Sequence, residues 1–274
     1  MLTLLNEGIG ALPGLELQTL LEICAQFLFA SLRIGSFLLA SPLFGARFVS
    51  LPVRISISFT LVLMVVSLNP SLPNIDFITS FAGVVAAFTE IAIGLSAGLI
   101  LTIIFGAASL AGEKIASSSG LSMATAVDPT SGAASPVMAQ ILTLFLLVIF
   151  MSFDGHLTAV RAIIESYSYI PVGHTLNKET IAAAGISAGG MMFSSAAVIM
   201  LPFIIVLLLI NVSIGVITRS APTLNIFSFA FPVTMMAVFF LVYLSVSTLG
   251  ISLANLAENA ILSMQQTMEG MVNG

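Results

Sequence analysis

Charge is what this chain has least of. Charged residues make up 7% of its 274 positions, against roughly 25% in a soluble domain. Its seven Lys and Arg are scattered, with no basic patch, which excludes nucleic acid as a partner. The formal net charge of -5 points to no partner of its own. Tryptophan is absent and there is one cysteine, Cys24, set in an apolar run. No disulfide framework or thiolate metal cluster can therefore be built within the chain. The two histidines, His156 and His174, have no neighbouring set of Cys, Asp and Glu, which makes a poor metal site. Walker A loop, H-E-x-x-H and dinucleotide fingerprint are all missing, so no cofactor is expected and nothing reads as catalytic. Glu7 and Glu16 stand where a secretory signal would carry Lys or Arg, so no signal peptide is expected.

What fills the chain is hydrocarbon. Apolar residues reach 58% and the mean hydropathy is +1.17, the composition of an integral membrane protein in contact with lipid. Its longest apolar runs exceed the ~20 residues that cross a bilayer as helix. None alternates with period two, which argues against a barrel, and the expected fold class is all-α. Six runs are legible: Leu17–Ala40, Ile55–Leu68, Ile78–Leu110, Val137–Phe153, Ile181–Thr218 and Ala221–Ala257, followed by a polar tail. Pro202 falls inside the fifth run and Pro232 inside the sixth, each a point for a kink. With six simple spans, Arg47, Arg54, Lys114 and Arg219 lie in odd-numbered loops, against Arg161 and Lys178 in even ones. That bias favours cytoplasmic odd loops. Glu22, Arg33, Glu90, Asn211 and Asn225 sit in or at the edge of apolar stretches, where they should face protein or water rather than lipid.

One stretch breaks the pattern. Gly112–Pro136 reads GEKIASSSGLSMATAVDPTSGAASP, small and polar between two apolar runs. Its Ser, Gly and Asp-Pro clusters read as loop, and Leu121, Met123 and Val127 punctuate it. Two readings are open: an ordinary interhelical loop, or a loop inside protein at membrane depth, where irregular backbone survives only against protein or a water-filled cavity.

Other motifs have plainer explanations beside functional ones. Gly94-Leu95-Ser96-Ala97-Gly98 and Gly185-Ile186-Ser187-Ala188-Gly189 match the G-x-S-x-G elbow of serine hydrolases. Both lie in helix-forming sequence, where the same spacing lets helices approach closely. An intramembrane protease would pair Ser96 or Ser187 with His156 or His174. His156 otherwise caps a helix or bonds within a turn. Arg47 and Arg54 suit lipid headgroups or a partner's carboxylates, Pro222 a first helical turn, and Asn225 an interhelical hydrogen bond. A small-solute transporter, with Gly/Pro-broken helices and polar residues at the midplane, is a further alternative.

Taken in order, several pieces resemble the FliR family of flagellar biosynthetic membrane proteins, which is related to the T subunits of type III secretion injectisomes. They are Arg33 with Ser41-Pro42-Leu43-Phe44-Gly45 and Leu51-Pro52-Val53-Arg54; Gly112-Glu113 leading to Gly120-Leu121-Ser122-Met123-Ala124 and Asp128-Pro129; Phe153-Asp154-Gly155-His156; Ser166 through Pro171; and Ala221-Pro222-Thr223-Leu224-Asn225. The Asp-Pro and Gly-His pieces favour the flagellar branch over the injectisome branch.

The resemblance implies a single-copy subunit of the export gate in the bacterial inner membrane, at the flagellar basal body. It would assemble with FliP and FliQ homologues, adjoin FlhB and FlhA, and pass unfolded flagellar proteins. It also implies a FliP-like portion over residues 1–153 and a FliQ-like portion over 154–274. The loop 112–136 would act as a plug in the pore, with Gly112, Glu113, Lys114, Ser119, Gly120, Leu121, Ser122, Met123, Val127, Asp128 and Pro129 as gate residues. Arg33, Pro42, Gly45, Arg54, Gly94, Gly98, His156, Pro222 and Asn225 would serve assembly and packing.

Overall fold

Several helix starts and stops follow local chemistry. The computed structural model describes residues 17–68, 77, 80–123, 125–127, 134–174, 176–220 and 226–271. Among these, seven helices form: α1 (Leu17–Ala40), α2 (Leu51–Leu68), α3 (Phe81–Ser119), α4 (Val137–Ser152), α5 (Gly155–Tyr169), α6 (Lys178–Ser220) and α7 (Ile226–Gly270). α1 stops before Ser41-Pro42, where proline disfavours a helical predecessor. Pro52 sits in the first turn of α2, where its missing N–H costs nothing. Ser80 caps α3, its Oγ accepting the Gly83 N–H at 3.2 Å. Asn177 Oδ1 accepts the N–H groups of Glu179 and Thr180 at 2.9 and 3.4 Å and so opens α6.

The observed helices depart from the apolar runs in four places. α2 begins at Leu51 rather than Ile55, because Pro52 starts a helix well and Arg54 folds back on the preceding loop. α3 continues to Ser119, so Gly112–Ser119 is helix where a loop was expected; Ala111, Ile115 and Ala116 keep one face of it buried. α5 forms inside a zone that reads as polar, since Ala159, Ala162, Ile163, Ser166 and Tyr167 make one buried stripe. α7 runs to Gly270 rather than ending in a polar tail. Ala257, Ala260, Ile261, Met264 and Met268 recur at helical spacing on its buried face. α6 and α7 contain Pro202 and Pro232 within their length.

α3 is the axis of the molecule, packing against α1, α4, α6 and α7. A helix apolar on every side is stable only when surrounded. Small residues make that crowding feasible: Ala107, Ala108, Ala111 and Ala116 are all without exposure. Larger side chains fill the gaps between helices, among them Phe105 and Phe150, whose rings meet edge to face at 5.0 Å.

Among the described residues, four helices are long and apolar enough to cross a membrane, within Leu21–Ala40, Phe81–Ser119, Glu179–Ser220 and Ala230–Gly270. α4 and α5 qualify together as one broken span bent by 66°, and α2 is a shorter apolar helix. The chain is an all-α membrane protein. α3 spans 39 residues, about 58 Å at 1.5 Å per residue. That is nearly twice the ~30 Å hydrocarbon core, so α3 and the still longer α6 and α7 extend beyond it.

Candidate functional site

The small, polar stretch becomes regular for its first third and then turns. α3 ends at Gly120, which takes a left-handed conformation with φ +77° and gives its N–H to the Ser117 carbonyl at 3.4 Å. Only glycine adopts this without strain, and a Cβ there would also lie 3.0 Å from the Phe231 ring. A short 3-10 turn, Leu121–Met123, leads into a two-stranded ribbon. Its strands, β1 (Thr125–Val127) and β2 (Ala134–Pro136), are antiparallel, with Ala126 opposite Ser135 and Val127 opposite Ala134. Among the described residues the segment thus contributes an antiparallel ribbon between α3 and α4. Leu121 is buried at its base and Ser122 is exposed. Asp128 and Pro129 lie outside the described residues.

Two further bonds hold the end of α3. Asn211 Nδ2 of α6 donates to the Ser118 carbonyl at 3.1 Å. Thr234 Oγ1 of α7 lies 3.0 Å from the Ser119 carbonyl. Gly112, a turn or two earlier, is a contact point with α4: a Cβ there would overlap the Ala139 backbone. Glu113 and Lys114 point away and are exposed, whereas Ser119 is buried with its Oγ on the Ala116 carbonyl at 3.0 Å.

A second polar centre lies toward the other end of α3. Arg33 of α1 is completely buried, as is Glu90 of α3. Arg33 Nε donates to Glu90 Oε2 at 2.7 Å and Nη2 to Oε1 at 2.8 Å, a two-pronged pair. Nη1 donates to Ser166 Oγ and Nη2 to the Ile170 carbonyl, both at 2.9 Å. Ser166 Oγ in turn donates to the Ile163 carbonyl at 2.6 Å. The Tyr167 ring lies 4.1 Å from the guanidinium carbon, and its hydroxyl donates to the Ala30 carbonyl at 3.0 Å. α1, α3 and α5 are thereby joined by one cation. Ser166 and Tyr167 lie in the stretch Ser166–Pro171, which carries a family resemblance in sequence but no role; the signal for the centre was an Arg and a Glu in separate apolar runs, which can be buried only together.

The remaining residues have clear positions. Gly94 and Gly98 lie where α3 crosses α1: a Cβ at Gly94 would overlap the Arg33 carbonyl, and one at Gly98 would come within 2.7 Å of Ala40 Cβ. One turn on, Thr102 Oγ1 donates to the Ala40 carbonyl at 2.5 Å, capping the end of α1. Gly45 gives its N–H to the Ser41 carbonyl at 2.9 Å in the turn that contains Pro42. Arg54 Nη2 holds that loop from α2, donating to the carbonyls of Ala46 and Val49 at 3.2 and 3.4 Å. His156 occupies the first turn of α5, its Nδ1 buried without a partner. Pro222 and Asn225 lie outside the described residues.

Neither G-x-S-x-G motif forms a strand-to-helix elbow. Both are inside helices, and Ser96 Oγ donates back to the Ile93 carbonyl at 2.9 Å. Among the described residues no group of His, Cys, Asp and Glu could hold a metal ion.

The sequence model of the family described as bacterial export proteins, family 1, matches residues 24–260. A flagellar biosynthetic protein FliR of Pectobacterium carotovorum is 34% identical over 212 residues, covering 77% of this chain and 80% of that protein. The protein of the same description from Escherichia coli K12 is 33% identical over 206 residues, 74% of this chain and 77% of its own. That of Bacillus subtilis 168 is 26% identical over 255 residues, 92% of this chain and 98% of its own.

Proposed function

Because this chain belongs to family 1 of the bacterial export proteins, we propose that it is a non-enzymatic subunit of the flagellar protein export gate, in the bacterial inner membrane at the flagellar basal body. The similarity to flagellar biosynthetic proteins over three quarters of the chain supports the flagellar reading. The observation that carries the mechanism is the ribbon of β1 and β2, in a small-residue segment that follows α3, the most buried of the described spanning helices. In this reading it is the plug of a channel for unfolded flagellar proteins, and Leu121, Met123 and Val127 supply its apolar seal. A three-residue ribbon breaks few contacts when it moves. A helix in its place would have to unpack a whole face.

The partners in this reading are homologues of FliP, FliQ, FlhB and FlhA, with this chain as the single copy. Large apolar side chains along α6 and α7 remain uncovered, including Leu201, Ile205, Leu208, Leu209, Phe240 and Leu244. Surfaces of that extent face lipid or other subunits. The division into a FliP-like portion, residues 1–153, and a FliQ-like portion, 154–274, falls where α4 and α5 bend by 66°. Asp154 takes φ +58° at that corner. Energy coupling belongs to partners.

Two measurements test this. Native mass spectrometry of the chain co-expressed with its FliP and FliQ homologues should give one complex containing one copy. In that complex, deletion within Gly120–Asp128 should let small ions through while export continues. A stable monomer that ignores both partners overturns the assembly, and an unchanged conductance overturns the plug.

A further inference from the structure

Between Glu22 and Asp76 the sequence has no acidic residue, and its charges there are Arg33, Arg47 and Arg54. Arg33 is committed to Glu90. Among the described residues neither Arg47 nor Arg54 forms an ion pair. Arg54 is half-buried, its Nη2 on the Ala46 and Val49 carbonyls and its Nε buried without a partner. Arg47, next in sequence to Ala46, is exposed beside an exposed Phe48. A cation partly withdrawn from water and bonded only to neutral carbonyls calls for an anion. Ala46 also borders a cleft of about 280 Å³, together with Leu39, Pro42, Thr102, Phe105 and Leu147. The two arginines thus share their loop with a mainly apolar hollow.

That cleft stands where the outer surface changes character. From Val198 to Ile217 on α6 and from Phe231 to Ile251 on α7, large apolar side chains are exposed turn after turn. At 1.5 Å per residue this belt is about 30 Å tall, the thickness of a bilayer's hydrocarbon core. Beyond it, Ser194, Ser195, Ser252, Asn255 and Asn259 line the groove between the two helices. Ile186, Phe193 and Leu262 are isolated exposed exceptions there. Gly106 of α3 faces Met192, just past the edge of the belt: a Cβ there would lie 3.2 Å from the Met192 sulfur. Gly106 is also part of the cleft wall. The arginines are therefore close to the level where hydrocarbon gives way to headgroups.

We propose that Arg47, Arg54 and this cleft form a binding site for an acidic phospholipid, with the phosphate on the two guanidinium groups and one acyl chain in the cleft. The proposal needs only a membrane protein and is independent of the plug reading. Guanidinium groups suit phosphate oxygens, which they can meet with paired N–H donors. A partner's carboxylate would answer the charge but leave the hollow empty; an amphiphile answers both. A zwitterionic lipid carries its own cation beside the phosphate, so the site favours lipids of net negative charge. The cleft walls come from α1, the loop after it, α3 and α4. A lipid seated there ties the loop between α1 and α2 to the central helix.

The test uses the full-length chain in detergent, stripped of lipid and titrated with phosphatidylglycerol or phosphatidylcholine, with bound lipid counted by native mass spectrometry. Phosphatidylglycerol should be preferred. Arg47→Gln and Arg54→Gln should each lower its retention roughly fivefold, the contribution of one basic residue beside an acidic lipid surface. Arg47→Lys should keep most of the binding. Arg161→Gln, which removes a cation paired with Glu165, should change nothing. Thr143→Leu narrows the cleft without touching charge and should weaken phosphatidylglycerol. Glycerol phosphate, which has the charge but no chains, should compete poorly. Equal retention of the two lipids, or a double Gln variant that binds as the parent does, overturns the proposal. Glycerol phosphate that displaces the lipid at equal concentration makes this an anion site alone and also overturns it. A double variant that keeps its lipid but no longer joins its partner subunits assigns the arginines to a partner's carboxylate instead. If Arg54→Gln does not fold, because the loop loses its grip, Arg47→Gln and Thr143→Leu decide the matter between them.

Discussion

Arg33 and Glu90, 57 residues apart, are joined by two hydrogen bonds of 2.7 and 2.8 Å with neither side chain exposed. Such a pair is costly to bury and far costlier to break, because the survivor is left as an uncompensated charge. Arg33→Ala or Glu90→Ala should each destabilise the chain by roughly 3–5 kcal/mol. The double replacement Arg33→Met with Glu90→Leu should cost less than the sum of the singles. Thermal unfolding of the purified chain in detergent measures this, and strictly additive losses would show that the two residues act independently.

Tyr167 contributes to the same centre in two separable ways. Its hydroxyl reaches the Ala30 carbonyl and its ring covers the guanidinium. Tyr167→Phe should cost about 1 kcal/mol through the lost hydrogen bond. Tyr167→Leu should cost more, since it also removes the ring from the cation. Equal effects of the two would deny any role to the aromatic face.

The two G-x-S-x-G motifs should respond in opposite directions. At Gly94 there is no room: a side chain meets the Arg33 carbonyl and Ser36, so Gly94→Val should push α1 off α3 at a cost of roughly 1–3 kcal/mol. At Gly185 nothing lies within 4 Å of a Cβ. Gly185→Ala in the isolated chain should therefore gain about 0.5–1 kcal/mol of helix stability. Unfolding of both variants side by side distinguishes a packing site from a free surface.

Leu121 is 4% exposed at the foot of the ribbon, inside the main core. Leu121→Ala should cost about 2–5 kcal/mol locally. In the assembled complex it should raise ion conductance without stopping export. Replacement of the neighbouring exposed Ser122 by Ala should change neither, so a leak from both would place the seal elsewhere.

How much of this was legible beforehand depends on how local each feature is. Composition and run length settle an all-α membrane protein, because a helix closes its own hydrogen bonds and needs only enough consecutive apolar residues. Ser80, Asn177 and Gly120 likewise mark ends of helices through bonds that span a few residues. Sequence also shows that Arg33, Glu90 and Asn211 need shelter, since no lipid-facing position suits them.

Partner choice is another matter. α3 is apolar on every side, so its pattern has no preferred face to say which helix lies where. Only the packed chain brings Ser166, 133 residues away, to Arg33. The same packing sets Thr234, 115 residues away, at the Ser119 carbonyl. The end of α3 shows the same limit. Glycine, serine and a charged pair read as loop over Gly112–Ser119, yet burial of Ala111, Ile115 and Ala116 outweighs those weak local preferences and carries the helix eight residues further. Local bonding is written along the chain; the meeting of distant helices is decided by which small and polar surfaces fit one another once the helices exist.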